Sequence, residues 1–315
     1  MPKKITEYLE IKNVSQKDFE FLDGFIKHDT SLYFDPLLIQ SYAIGKEKDH
    51  ISVQMRDRLV SFFAQLLNNI NDDATVRALL DTGSEINENG LGMTVKGVSM
   101  GRGSSPDKLY DMFLHEGVLE HMRAGTIRDY REIPIFTDGF GKDKLSDLIT
   151  NICYDLLVEF THQEVECLKE KHSIEVPLAE FKHRAWNEAT HRWEDRIDLL
   201  PLFENTTRFF VPKRLLLSEL TLDVETYFRK VVVNFYKTSD QTVKEVEKTL
   251  LRDGYNKVSC NIEFRSKRHK NQYVQELESE YFDGSYKGYL NDDQLEEIVE
   301  KSRQKILESR EVELQ

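Results

Sequence analysis

Most apolar positions in this chain recur at helical spacing. Leu59, Phe62, Phe63, Leu66, Leu67 and Ile70 follow a 3.6-residue period and predict a helix over residues 52–70. Leu145, Leu148, Ile149, Ile152, Leu156 and Phe160 form the inward stripe of a long helix over 142–171. Ser15 caps a shorter one carrying Phe19, Leu22 and Ile26 on one face, with Val14 just before the cap. Further helices are expected after Asp72 or Asp73, from Ser105-Pro106-Asp107 through Leu109, Met112 and Phe113, over 222–235, and behind Ser239 with Gly254 as the stop. Residues 291–313 make a charge-rich amphipathic helix with Leu295, Ile298, Val299 and Ile306 on its apolar face. It reads as a solvated face or as a partner helix.

Strand signals are fewer and shorter. Val258, Cys260, Ile262 and Phe264 alternate with Ser259, Asn261 and Glu263, which predicts a strand. Ile133–Phe136 reads as a buried strand, and residues 5–11 as a short strand or extended arm. The run 31–39 is broken by Asp35-Pro36, so it reads as an edge strand or a tight turn. Trp186 and Trp193 stand near the two ends of a hairpin loop, and 208–217 reads as a strand ending near Pro212. The fold expected is a helix-rich, mixed α/β (α+β) one, with one long central helix and small sheets. A change of character between residues 174 and 180 divides it into an N-terminal α/β domain, 1–176, and a C-terminal α+β domain, 177–315.

Composition narrows the class without naming an activity. Of 315 residues 39% are hydrophobic, enough to fill a core, so wholesale disorder is excluded. No run approaches the ~18 apolar residues of a membrane helix, and the start lacks the apolar stretch of a signal peptide. The three cysteines include no CxxC pair, which fits a reducing cytoplasm. A net charge of −13 opposes non-specific binding to nucleic acid or acidic membranes, yet leaves room for a local basic groove or a carboxylate metal site.

Five segments offer chemistry. Residues 90–103 hold five glycines, with Lys96 and Arg102 beside them; Gly101, Arg102 and Gly103 are candidate phosphate or substrate contacts, although neither nucleotide-binding fingerprint is met. Asp143 and Asp147, four apart at the start of the long helix, share a face, and Asp138 in the preceding turn can fold towards them. Together they are candidate ligands for Mg²⁺ or Mn²⁺, with Lys142 and Lys213 as the catalytic lysines that meet phosphate. His115 and His121 are spaced six apart and reject the zinc-protease reading, while His183 and His191 read as loop-surface histidines. Trp186 and Trp193 lie among Arg184, Arg192, Arg196, Arg208, Lys213 and Arg214, the ingredients of a single-strand stacking surface or of plain hairpin packing. Glu263-Phe-Arg265 outlines a nuclease limb, with a cross-strand ion pair as the simpler reading.

The segments Tyr33-Phe-Asp-Pro-Leu-Leu38, the glycine run through Gly103, Gly139-Phe-Gly-Lys-Asp-Lys-Leu-Ser-Asp147 and Val211-Pro-Lys213 resemble part of an uncharacterised bacterial family. Longer members of that family append a restriction-endonuclease-like domain, of which this chain shows no convincing copy. The resemblance implies genome defence. The expected role is a cytoplasmic defence subunit that engages a phage factor or nucleic acid together with a protein partner, in an oligomer and off the membrane. The alternatives are a metal-dependent nuclease or phosphodiesterase at Asp138, Asp143 and Asp147, and a nucleotide sensor at the glycine run.

Overall fold

A computed structural model describes residues 2–46, 48–82, 86–92, 108–282 and 288–313, without the side chains of 253, 277, 280, 281 and 309–313. It is a helix-rich α+β structure with two small sheets. Helix α1 (Ile5–Tyr8) precedes a 3₁₀ turn at Gln16–Asp18, strand β1 (Tyr33–Phe34) and helices α2 (Pro36–Ile44), α3 (His50–Asn68) and α4 (Asp73–Leu80). Next come α5 (Lys108–His115), α6 (Val118–Arg123), α7 (Ile133–Phe136), α8 (Lys142–Ile152) and α9 (Tyr154–His172). The hairpin β2 (Leu178–Asn187) and β3 (Arg192–Phe203) carries β4 (Thr206–Thr207) on its far side, while β5 (Leu216–Leu217) returns to pair with β1. The remaining helices are α10 (Val224–Tyr227), running through a π-helical stretch Phe228–Val233 into α11 (Asn234–Tyr236), then α12 (Val243–Leu250), α13 (Lys257–Arg268), α14 (Gln272–Phe282) and α15 (Asp292–Glu313).

Local chemistry explains most element starts. Asp35 caps α2 by accepting from the amides of Leu37 and Leu38, both at 2.9 Å, with Pro36 in the first turn. Asp49 caps α3, whose buried face is Met55, Leu59, Phe62, Phe63 and Leu66. Thr242 and Glu245 form a reciprocal capping box on α12.

Several expected elements take another form. Residues 257–268 are helical, not a strand. Asn256 and Ser259 cap each other, Glu263 pairs with Lys267 one turn on, and Cys260 and Phe264 are four apart on the buried face. That alternating run contained a helical pair, so both periods fitted it. Ile133–Phe136 is a helical turn in which Thr137 Oγ1 donates to the Ile133 carbonyl at 2.6 Å. Ile5–Tyr8 is also a helical turn rather than a strand.

The helix expected behind Ser15 stops after one 3₁₀ turn. Gln16 reaches forward to the Phe21 carbonyl and the Asp23 amide. The backbone of Leu22 and Ile26 bonds instead to Val211 and Lys3. The long central helix is two helices that abut at Cys153 (φ −101°, ψ 14°), and Asn151 turns its side chain back onto the Asp147 carbonyl. The 208–217 strand reduces to a loop, a 3₁₀ turn and β5.

The apolar core does not respect residue 176. A single cluster runs from Leu22 through Phe62 and Tyr154 to Trp186, Phe228, Phe264 and Ile306, so the two expected domains share one interior. Helix α15 belongs to it through Leu295, Val299 and Ile306. It is tied to the N-terminal segment by Lys4–Glu296 at 2.5 Å and Glu7–Arg303 at 2.7 Å. Its apolar face is thus covered from within the chain.

Candidate functional site

The start of α8 gathers residues from four parts of the chain. Tyr33 on β1 is buried, and Lys142 Nζ stands 4.8 Å from its ring centroid while donating to the Ser218 carbonyl (2.8 Å) and to Glu219 (2.5 Å). Burial pushes the Tyr33 hydroxyl up to about 12, with Asp143, Glu219, Asp147 and Asp29 adding negative field. A side chain at Gly92 (φ +132°) would bring its Cβ to 3.2 Å from Asp143 Oδ1, so the glycine run begins against this carboxylate.

Backbone bonds fix that approach. Thr30 and Gly90–Gly92 exchange hydrogen bonds of 2.9 and 3.1 Å, and Asn89 Nδ2 donates to Thr150 of α8 at 3.1 Å. Arg208, buried, donates to the Ile26 carbonyl at 2.7 Å and to Asn87. Ser146 Oγ accepts from the Phe34 amide, which locks α8 to β1.

The predicted residues divide accordingly. Asp143 and Asp147 both add negative field at Tyr33, and Lys142 lies against the same ring. Asp138 is exposed in its turn, because Phe140 between it and the helix is buried against Phe113. Among the described residues no three His, Cys, Asp or Glu side chains are already grouped to hold a metal ion. Lys213 is spent elsewhere, on the Gln16 carbonyl and on Asp292, both at 2.7 Å. Gly101, Arg102 and Gly103 lie outside the described residues.

Trp186 and Trp193 face each other across the hairpin in the core, 2% and 8% exposed. Both pack on Phe62, and Trp193 Nε1 donates to the Leu79 carbonyl at 2.8 Å. Rings so enclosed offer no face to a base, which corrects the stacking reading and leaves hairpin packing. His183 is likewise a core residue, packed against Tyr154 with ring centroids 4.2 Å apart and planes tilted by 51°. Arg265 is a buried cation paired with Glu132 and Glu278, not a nuclease limb.

A second feature left no signal in the sequence. Between α9, the start of α3 and the loops at Glu20 and Arg214 lies a groove of about 190 Å³. Its charged lining is Glu20, Asp49, Glu159 and Glu164 against Arg214, with His50 at the rim. A smaller recess of about 60 Å³ shares Glu20 and Glu164 and adds Cys167, Lys171 and His172. Burial pushes the Glu164 carboxyl up, helped by Glu20, while Lys171 and Arg214 oppose the shift. Arg214 is itself held by Glu20 and by Asp49 at 3.8 Å. Single acidic residues on separate elements build this groove, so no local motif marks it.

The family model described as Domain of unknown function (DUF8370) matches residues 10–250. The chain belongs to the DUF8370 family. No curated protein and no solved structure matches it. The DUF8370 region holds both features, the α8 entrance and the α9 groove, while α13–α15 lie beyond it. No helix among the described residues is long and apolar enough to cross a membrane.

Proposed function

We propose that the protein is a binding subunit, cytoplasmic and part of a bacterial defence assembly, that engages a positively charged segment of a protein partner in the α9 groove. The observation that carries the reading is the lining of that groove, four carboxylates against one guanidinium in a concave surface, on a chain of net charge −13. A field of this sign attracts lysine and arginine side chains and repels phosphate. The defence context rests on the sequence resemblance alone. The expected catalytic lysines support the same choice, since Lys142 and Lys213 are both engaged by carboxylates and backbone carbonyls.

The test is fluorescence anisotropy with a labelled oligo-arginine peptide and a labelled single-stranded oligonucleotide, at low and high salt. The peptide binds, salt weakens it, and Glu159→Lys with Glu164→Gln reduces the affinity by about tenfold or more, as like charge at a rim does. Tighter binding of the oligonucleotide ends this reading in favour of a nucleic-acid factor.

One observation favours a second reading: Asp143 lies where the glycine run begins, and with Asp147 it adds negative field at Tyr33, the ring that Lys142 approaches. A phosphodiesterase there would need Mg²⁺ or Mn²⁺ with donors beyond these two carboxylates. Metal-dependent cleavage that EDTA stops and Asp147→Ala abolishes would establish it. Cleavage retained in Asp147→Ala would remove this residue from the chemistry.

A further inference from the structure

The β2–β3 ladder has a readable parity. The Leu202 amide donates to the Pro177 carbonyl at 2.7 Å, and these residues are opposite each other when the register is extended by one step. Bonded and non-bonded pairs alternate along an antiparallel ladder. The odd-numbered residues of β2 therefore direct their peptide groups to β3, and Leu178, Glu180, Lys182 and Arg184 direct theirs outward. Trp186 obeys the same parity, since its carbonyl accepts from Arg58 at 3.3 Å outside the ladder.

Strand β2 is an edge of its sheet, whose order among the described residues is β2-β3-β4. Leu178, Glu180 and Lys182 are exposed. The face they share with their β3 neighbours also shows Ile197 at 60% and Leu199 at 47% exposure. A long edge with open peptide groups and apolar side chains beside it is a template for another strand.

We propose that β2 pairs antiparallel with β2 of a second copy of this chain, about a two-fold axis through Phe181. In that register Glu180 faces Lys182 of the second copy and Lys182 faces its Glu180, while Leu178 faces Arg184. All of these are even-numbered residues, so the outward peptide groups meet each other. Neighbouring registers fail on charge. An axis through Glu180 or through Lys182 sets each residue against itself, and an axis through His183 sets Lys182 against Arg184. The self-complementary charges select both the occupant and the register.

This proposal is independent of the α9 groove, and its test contains no peptide. Sedimentation velocity of the full chain over a dilution series shows a dimer that dissociates on dilution. Glu180→Lys or Lys182→Glu alone places like charges at both symmetry-related pairs and weakens dimerisation roughly tenfold or more, and the double reversal restores it. Glu180→Pro removes an amide that β3 does not use. It abolishes the dimer while circular dichroism and the melting temperature stay near wild type. A monomer at every concentration overturns the proposal. So does a dimer indifferent to the single reversals, or a double reversal that fails to restore it. Should the proline variant unfold, the charge series alone decides.

Discussion

Arg265 is 4% exposed, yet it carries a full charge into the core. Glu132 at 2.8 Å and Glu278 at 3.1 Å compensate it, the Phe136 ring lies 4.9 Å away, and Tyr227 donates to Glu278 at 2.5 Å. Replacing it by leucine leaves two carboxylates without their cation. Arg265→Leu is expected to cost ~3–5 kcal/mol in a urea titration, the usual consequence of breaking a buried pair from one side. His183 is the opposite case, a core imidazole kept neutral. Burial, with Arg184 nearby, pushes it down to about 4 from an ordinary 6.5. Because the folded value lies below the unfolded one, its contribution is complete above about pH 6.5 and is lost as pH falls towards 4. By linkage the loss reaches about 2 kcal/mol by about pH 5. Urea midpoints compared at neutral and mildly acidic pH will show this loss in the wild type, and His183→Phe, which keeps a ring against Tyr154, will lack this component.

At the scale of elements, the YFDPLL segment shows how a short motif anchors several parts. Asp35 caps α2 and also accepts from the Thr221 amide at 2.8 Å, while its own amide donates to Leu215. Asp35→Ala therefore loses a cap and a tie between α2 and the loop after β5. A loss of ~2–3 kcal/mol is expected by thermal or chemical denaturation, a cap with a further buried bond. Gly139 is constrained differently. Its φ is +90°, and a Cβ there would enter the carboxylate of Glu116, which Lys144 holds at 2.8 Å. Gly139→Ala should destabilise by ~1–3 kcal/mol, from backbone strain and the displaced ion pair. Gly141→Ala, where the added Cβ would meet no atom beyond its chain neighbours within 4 Å and φ is −80°, is the matched control and should be close to neutral.

At the scale of the whole molecule, the shared interior predicts how the chain unfolds. The hairpin tryptophans pack on Phe62 of α3, and α15 ties back to α1. The fragment 1–176 would expose the α3 face that Trp186 and Trp193 cover, so it should be insoluble or molten when expressed alone. The full chain should give coincident tryptophan-fluorescence and circular-dichroism transitions. A well-folded fragment, or two separated transitions, would show that residue 176 is a domain boundary after all.

The helices α3, α4, α9 and α15 were legible because their apolar stripes are long and their caps or charges agree with the 3.6-residue period. The tryptophan hairpin was legible from its aromatic pair. The α8 pair Asp143 and Asp147 was legible as well, since i,i+4 spacing is a local property. Four- to seven-residue apolar runs were not, because Ile133–Phe136 and 258–264 satisfy either period until a cap or a packing partner chooses. Sequence by itself determined the helix-rich class, the net charge and which residues had to be buried somewhere. Only the tertiary structure decided that Tyr33 and Glu219 join the α8 entrance, that Lys213 is held by Gln16 and Asp292 instead, and that scattered carboxylates line the α9 groove. Those outcomes depend on contacts between residues far apart in the chain, and such contacts leave no periodic trace in either segment alone.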